Sequence, residues 1–104
     1  ENDDDELVFI AGNVMSGMYL SQNKKIQSLY KKAYDKIAIS NNTEAIKNLA
    51  DDIVAKGIQY KQYNFDKVGI NLLRQIVQKQ KNVSATNKIR NIEVVKIAMA
   101  KLLE

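Results

Sequence analysis

Apolar side chains return every three or four residues over positions 26–103, and none of the 104 residues is a proline. That spacing puts apolar groups on one side of an α-helix, and every backbone N–H remains free to join a helical ladder. The cleanest stripe is Ile26, Leu29, Tyr30, Ala33, Tyr34 and Ile37, with Lys24, Lys25, Lys31, Lys32 and Asp35 outside it. A second holds Ile46, Leu49, Ala50, Ile53 and Val54, and a third Val68, Leu72, Leu73, Ile76 and Val77. The last holds Ile89, Ile92, Val95, Met99, Leu102 and Leu103, widened by Val94, Ile97 and Ala98. Upstream, Leu7, Ile10, Ala11, Val14 and Met18 predict a first helix over 5–21, capped by Asp3, Asp4 or Asp5. Short polar breaks between the stripes predict an all-α fold, an antiparallel four- to five-helix bundle. It forms a single helical domain over residues 1–104, with residues 1–6 an acidic tip.

The breaks carry their own chemistry. Ser21 or Asn23 restarts the chain, and Thr43 caps the third helix after Ser40, Asn41 and Asn42. Gly57 is placed to stop that helix in a left-handed turn, with Ile53 and Ile58 as its hydrophobic pair. Residues 58–65 form a connector carrying Tyr60, Tyr63 and Phe65; Asn64 or Asp66 then caps the fourth helix, and Ser84 the last. Gly12 and Gly17 fall inside the first helix and mark close approach of a neighbour rather than a break. The expected core is Leu29, Ala33, Ile37, Leu49, Ile53, Leu72, Ile76, Ile92, Val95 and Met99. The wide apolar arc of the last helix predicts either a homodimer or burial beneath the first helix.

Catalytic chemistry has few carriers here. There is no His, Cys or Trp, which removes the neutral-pH base, the thiolate nucleophile and the soft metal ligands. Asp51 and Asp52 are adjacent on a helix and point in different directions, so they make a poor metal site. Only seven acids lie beyond the tip, and those with obvious helix positions are expected to face solvent, leaving no paired-carboxylate site. Ser28 with Lys31 and Lys32 is the nearest approach to a nucleophile–base pair, and its spacing is coincidental. The sequence therefore predicts a protein that is not an enzyme and holds no cofactor or metal.

Charge is unevenly spread. The tip has five acids and no base, while residues 7–104 carry 16 bases against seven acids, a net +9. Residues 67–92 contain no acid, and Lys67, Arg74, Lys79, Lys81, Lys88 and Arg90 give them +6. Such a footprint suits an anionic partner. The function expected is non-enzymatic binding of another protein, through the aromatic connector (Tyr60, Tyr63, Phe65) and the basic face of Arg74, Lys79 and Lys81. Tyr and Arg are the residue types that anchor interfaces. The alternative is a basic nucleic-acid-binding module on the acid-free segment, although Arg, the usual phosphate fork, occurs only twice in the chain. The most apolar stretch, 7–20, is too short and too interrupted to span a membrane. The chain opens on Glu1 rather than Met; a removed signal peptide fits this, and so does a trimmed chain, the first slightly favouring a periplasmic or secreted location.

Leu29-Tyr30 in the first long helix, and Thr86-Asn87-Lys88-Ile89 entering the last, resemble the small all-α immunity proteins that protect bacteria from their own bacteriocins. In that family a similar T-N-K-I stretch follows an apolar helix like 70–77. The resemblance covers about three-quarters of the chain. It implies a helical bundle that neutralises a toxin; a small secretion-system helper is the related architecture. Two departures stand out: the spacing before T-N-K-I is longer here, and 7–20 has no counterpart.

Overall fold

The computed structural model describes residues 2–104, the side chains at 2–4 and 82 excepted. Five α-helices, α1 (Asn2–Ala11), α2 (Lys24–Ala38), α3 (Thr43–Gln59), α4 (Phe65–Lys79) and α5 (Ala85–Leu103), make up a helical bundle. No strand occurs among the described residues. A π-helical turn, Ser16–Leu20, lies between α1 and α2, and single 3₁₀ turns, Lys61–Tyr63 and Gln80–Asn82, flank α4.

Helices α3, α4 and α5 pack mutually, and α1 docks against α3 and α2. Ile46, Leu49, Ile53, Leu73, Ile76 and Val95 are fully buried at the centre. Ala11, Val14 and Met15 close the core from the α1 side, and Tyr34, Ile37 and Ala38 from α2. Leu102 locks the three central helices together. A Cβ at Gly57 of α3 would come within 2.7 Å of its side chain, and one at Gly69 of α4 within 2.8 Å. Two glycines thus form the notch that receives it. The bundle measures 37 × 32 × 18 Å. A thickness of 18 Å is two helix layers at the usual spacing of about 8–10 Å, so every helix keeps one side near solvent.

Several expectations need correction. The first helix is not continuous over 5–21. It turns at Gly12 and Asn13 and restarts, and Gly12 is exposed, where an added Cβ would meet only the Phe9 carbonyl, at 3.8 Å. Gly17 behaves as expected: it is buried, and a Cβ there would overlap the Tyr30 ring. A cap from Asp3 or Asp4 lies outside the described residues. Gly57 does not stop α3, which continues to Gln59; packing against Leu102 is its reason, and the left-handed residue is Asn64, at φ 65°. Asn42, not Thr43, caps α3, its side chain accepting from Ala45 N–H at 3.1 Å. Asn23 caps α2 as expected, accepting from Lys25 and Ile26. Ser84 precedes α5 without a side-chain cap; its own N–H donates to Asn41 Oδ1 at 3.2 Å.

The expected core also shifts. Leu29 is 64% exposed, and Ala33, Ile92 and Met99 are half-buried. On α2 the neighbours cover the Tyr34–Ile37–Ala38 side and stop short of Leu29. On α5 the buried line is Asn91, Val95, Ala98 and Leu102, rotated from the line read from apolar residues alone. Nor does α1 lie over the apolar arc of α5, because it docks on the α3 and α2 side. Asp52 is buried rather than solvent-facing. Its Oδ2 accepts the Met15 N–H at 2.8 Å, pairing a backbone donor left free where the chain restarts after Gly12.

Candidate partner-binding surfaces

The residues expected to bind a partner do not form one surface. The connector aromatics gather at the start of α4. The Tyr60 and Phe65 rings lie 5.4 Å apart, Tyr60 and Tyr63 6.5 Å, and Tyr19 meets Phe65 edge-on at 5.9 Å. Asn64 in the left-handed conformation turns the chain sharply enough to fold these rings together. Phe65 is half-buried against the core and Tyr60 half-buried beside it, while Tyr63 is 66% exposed. Only Tyr63 of the three is a largely free ring. Tyr19, 41% exposed, joins the cluster from the π turn.

The basic residues lie elsewhere. Lys79 is at the far end of α4, about 20 Å from Phe65 at the helical rise, and Lys81 follows it in the 3₁₀ turn. Lys79 is engaged: its Nζ is 3.1 Å from Asp35 Oδ1 and 5.4 Å from the Tyr34 ring centre. Lys31 shares both partners, at 2.9 Å and 5.5 Å. Their hydrogen bonds and charges hold the Asp35 carboxyl below the usual carboxylate range. Tyr34 is fully buried, donates to the Leu72 carbonyl at 2.6 Å, and its phenol is pushed up chiefly by burial. This constellation ties α2 to α4. Arg74 and Lys81 are exposed, and neither pairs with a carboxylate among the described residues.

Two apolar surfaces are more prominent than the expected one. The first is a groove of about 240 Å³ between α1 and α2, lined by Ile10, Leu29, Tyr30, Ala33, Lys32 and Lys36. Its floor is apolar and both of its charged side chains are lysines. The second is the outer face of α5, where Lys88, Ile89, Ile92, Glu93, Lys96, Ile97 and Ala100 line an open trough. Ile89 is 68% exposed and Ile97 53%. Single exposed apolar residues are ordinary, but contiguous apolar strips mark contact sites.

Among the described residues, no three His, Cys, Asp or Glu side chains come together as a metal-binding group. No helix among them is long and apolar enough to cross a membrane. Comparison with family models, curated proteins and solved structures gave no match. The functional reading therefore rests on the surfaces themselves.

Proposed function

We propose that this chain is a non-enzymatic binding module whose ligand is another protein, held in the groove between α1 and α2. One observation carries the reading. The most regular amphipathic helix in the chain leaves Leu29 64% exposed, with Ile26, Ala33 and Ile10 beside it on the sequence stripe or in the groove. A helix face of that kind receives an amphipathic partner helix through apolar anchors at three- and four-residue steps. Lys32 and Lys36 on the rim select an acidic flank on that helix. Toxin neutralisation, or assistance to a secretion component, is the form of such binding that the resemblance of Leu29-Tyr30 suggests. Tyr63 and Tyr19 offer a second aromatic contact at the other end of α4. Phosphate binding along 67–92 has less support, because Lys79 is already committed to Asp35 and Tyr34.

The test compares wild-type protein with Leu29→Asp, immobilised side by side, and measures each captured protein again as a purified pair. A true partner loses at least tenfold in affinity with the variant, while the variant keeps its helical circular dichroism. Equal binding to both forms refutes the groove. A purified nucleic acid that binds tightly and loses about 10³-fold in affinity on raising salt from about 50 to 200 mM refutes the protein reading.

A further inference from the structure

We infer that the outer face of α5 is a self-association surface, which pairs with α5 of a second copy of this chain in antiparallel register. The face is exposed along its length: Ile89, Glu93, Lys96, Ile97 and Ala100 all reach solvent, and every residue lining the trough belongs to α5. Among the described residues no other element lines it. The order of its side chains indicates which occupant.

Take the midpoint between Val94 and Val95. Glu93 and Lys96 stand equally far on either side of it, as do Ile92 and Ile97, and Ile89 and Ala100. At 100° per residue, Ile89, Glu93, Lys96 and Ala100 run down the centre of the strip, Ile92 and Ile97 flank it, and Lys88 stands at its edge, about 110° from the centre line. In an antiparallel pair related by a two-fold axis through that midpoint, each residue of the centre line faces its counterpart across the midpoint. Glu93 of one copy then meets Lys96 of the other, twice. The large Ile89 meets the small Ala100, twice, giving a knob and a space at each end. Ile92 stands level with Ile97 of the other copy but on the opposite flank, so each flank brings together two like isoleucines, Ile92 with Ile92 or Ile97 with Ile97, offset by about 7.5 Å along the axis. Parallel pairing in register sets Glu93 on Glu93 and Lys96 on Lys96, and like charges facing each other are disfavoured. The strip is thus self-complementary in one orientation only. A helix of 19 residues offers about 28 Å of contact, which places the dimer among the smaller, reversible interfaces. This surface is separate from the α1–α2 groove, so either reading can fail alone.

Sedimentation equilibrium of the full chain over a wide concentration range tests the proposal. The wild type is expected to interconvert between monomer and dimer. Glu93→Lys alone, or Lys96→Glu alone, sets four like charges together and should weaken dimerisation at least tenfold. The double exchange E93K/K96E rebuilds the same pairs with signs swapped and should restore it. All three variants change exposed side chains, so circular dichroism should show the same helical content. A chain that stays monomeric throughout overturns the proposal. So does a dimer indifferent to the single exchanges, or one that the double exchange fails to restore.

Discussion

Gln80 and Asn91 form the one fully buried amide pair among the described residues, and their coupling can be measured. Both are 0% exposed. Gln80 Nε2 donates to the Ala38 carbonyl at 2.6 Å and to Ser40 at 3.4 Å. Asn91 Nδ2 donates to Gln80 Oε1 at 2.8 Å and to the Ser40 carbonyl at 3.3 Å. The Ala38 and Ser40 carbonyls belong to the end of α2, where helical partners run out. The pair therefore joins the end of α2, the turn after α4 and the first half of α5. Gln80→Met keeps the shape of the side chain but leaves Ala38 O and one Asn91 proton unpaired. At about 1–3 kcal/mol per orphaned buried group, the cost is roughly 2–6 kcal/mol. Asn91→Leu orphans Gln80 Oε1, but it also removes Asn91 Oδ1, which already lacks a partner. Its cost is about 1–2 kcal/mol on the same scale. In the double variant neither amide is left to be orphaned by the other, so the summed cost should fall short of additivity by about 1–3 kcal/mol. Urea unfolding followed by circular dichroism gives all four corners of the cycle. If the two single costs add within about 0.5 kcal/mol, the amides do not act as a unit and the reasoning fails.

Two glycines five residues apart should respond oppositely: Gly12→Ala, in open space and without positive φ, should gain about 0.4–1 kcal/mol, whereas Gly17→Ala, driven into the Tyr30 ring, should lose about 1–3 kcal/mol; thermal melts separate them. Asp52→Ala leaves the Met15 N–H without its acceptor and should cost about 1–3 kcal/mol at neutral pH, with Asp52→Asn costing less because an oxygen acceptor is retained. The two carboxylates also give opposite pH slopes. Burial raises Asp52, so the protonation-linked part of its contribution, separate from the Met15 hydrogen bond, is full below the ordinary carboxylate range and is lost as pH climbs through its raised value. Lys31 and Lys79 lower Asp35, so its contribution is present above the ordinary range and is lost as pH falls through its lowered value; unfolding of D52N and D35N against pH should each flatten one slope. Tyr63→Ala should leave the melting temperature nearly unchanged, because the ring is 66% exposed. Phe65→Ala should cost on the order of 2 kcal/mol, less than a fully buried Phe, because it is half-buried against the core.

Helical type throughout, and the approximate bounds of α2 to α5, were legible because they depend on local spacing, and Ile37, Leu49, Ile53, Leu72, Ile76 and Val95 fell inside as the stripes implied; the break at Gly12 and Asn13 was not. Burial of Leu29 was not legible. Periodicity tells which residues share a face, but how far neighbouring helices reach across that face is a tertiary fact. Asp52, Gln80 and Asn91 were overlooked because the core was sought among apolar residues. Yet spacing held the signal: Asp52 stands three after Leu49, and Asn91 stands four before Val95, seven before Ala98 and eleven before Leu102. A polar residue in step with a buried line is a hydrogen-bonding position. Gly57 misled because a glycine near a helix end can serve a turn or a close contact, and only Leu102, 45 residues away in the chain, decides between them. Among the candidate site residues, the rings of the connector were close in sequence and met in space. The basic residues were grouped by sharing an acid-free stretch, and a helix about 20 Å long carried them away from the rings.

The two open strips differ in a way that gives each a separate role. The α1–α2 groove has lysine as its only charged type, so two copies set groove to groove bring Lys32 and Lys36 against their own kind. That surface cannot pair with itself and calls for an acidic partner. The α5 strip carries Glu93 and Lys96 together and becomes complementary when turned over on a second copy. Each strip exists because a bundle two helices thick leaves one side of each helix uncovered; the charges decide what covers it. Pairing through α5 yields a dimer carrying two α1–α2 grooves. A partner that presents two acidic helices at a matching distance would then bind the second at an effective concentration near the millimolar range, gaining avidity with no new contact. Disrupting the α5 pairing with Glu93→Lys should therefore weaken binding of a bivalent partner and leave a single acidic helix unaffected. Equal loss for both would mean that the two strips serve one site.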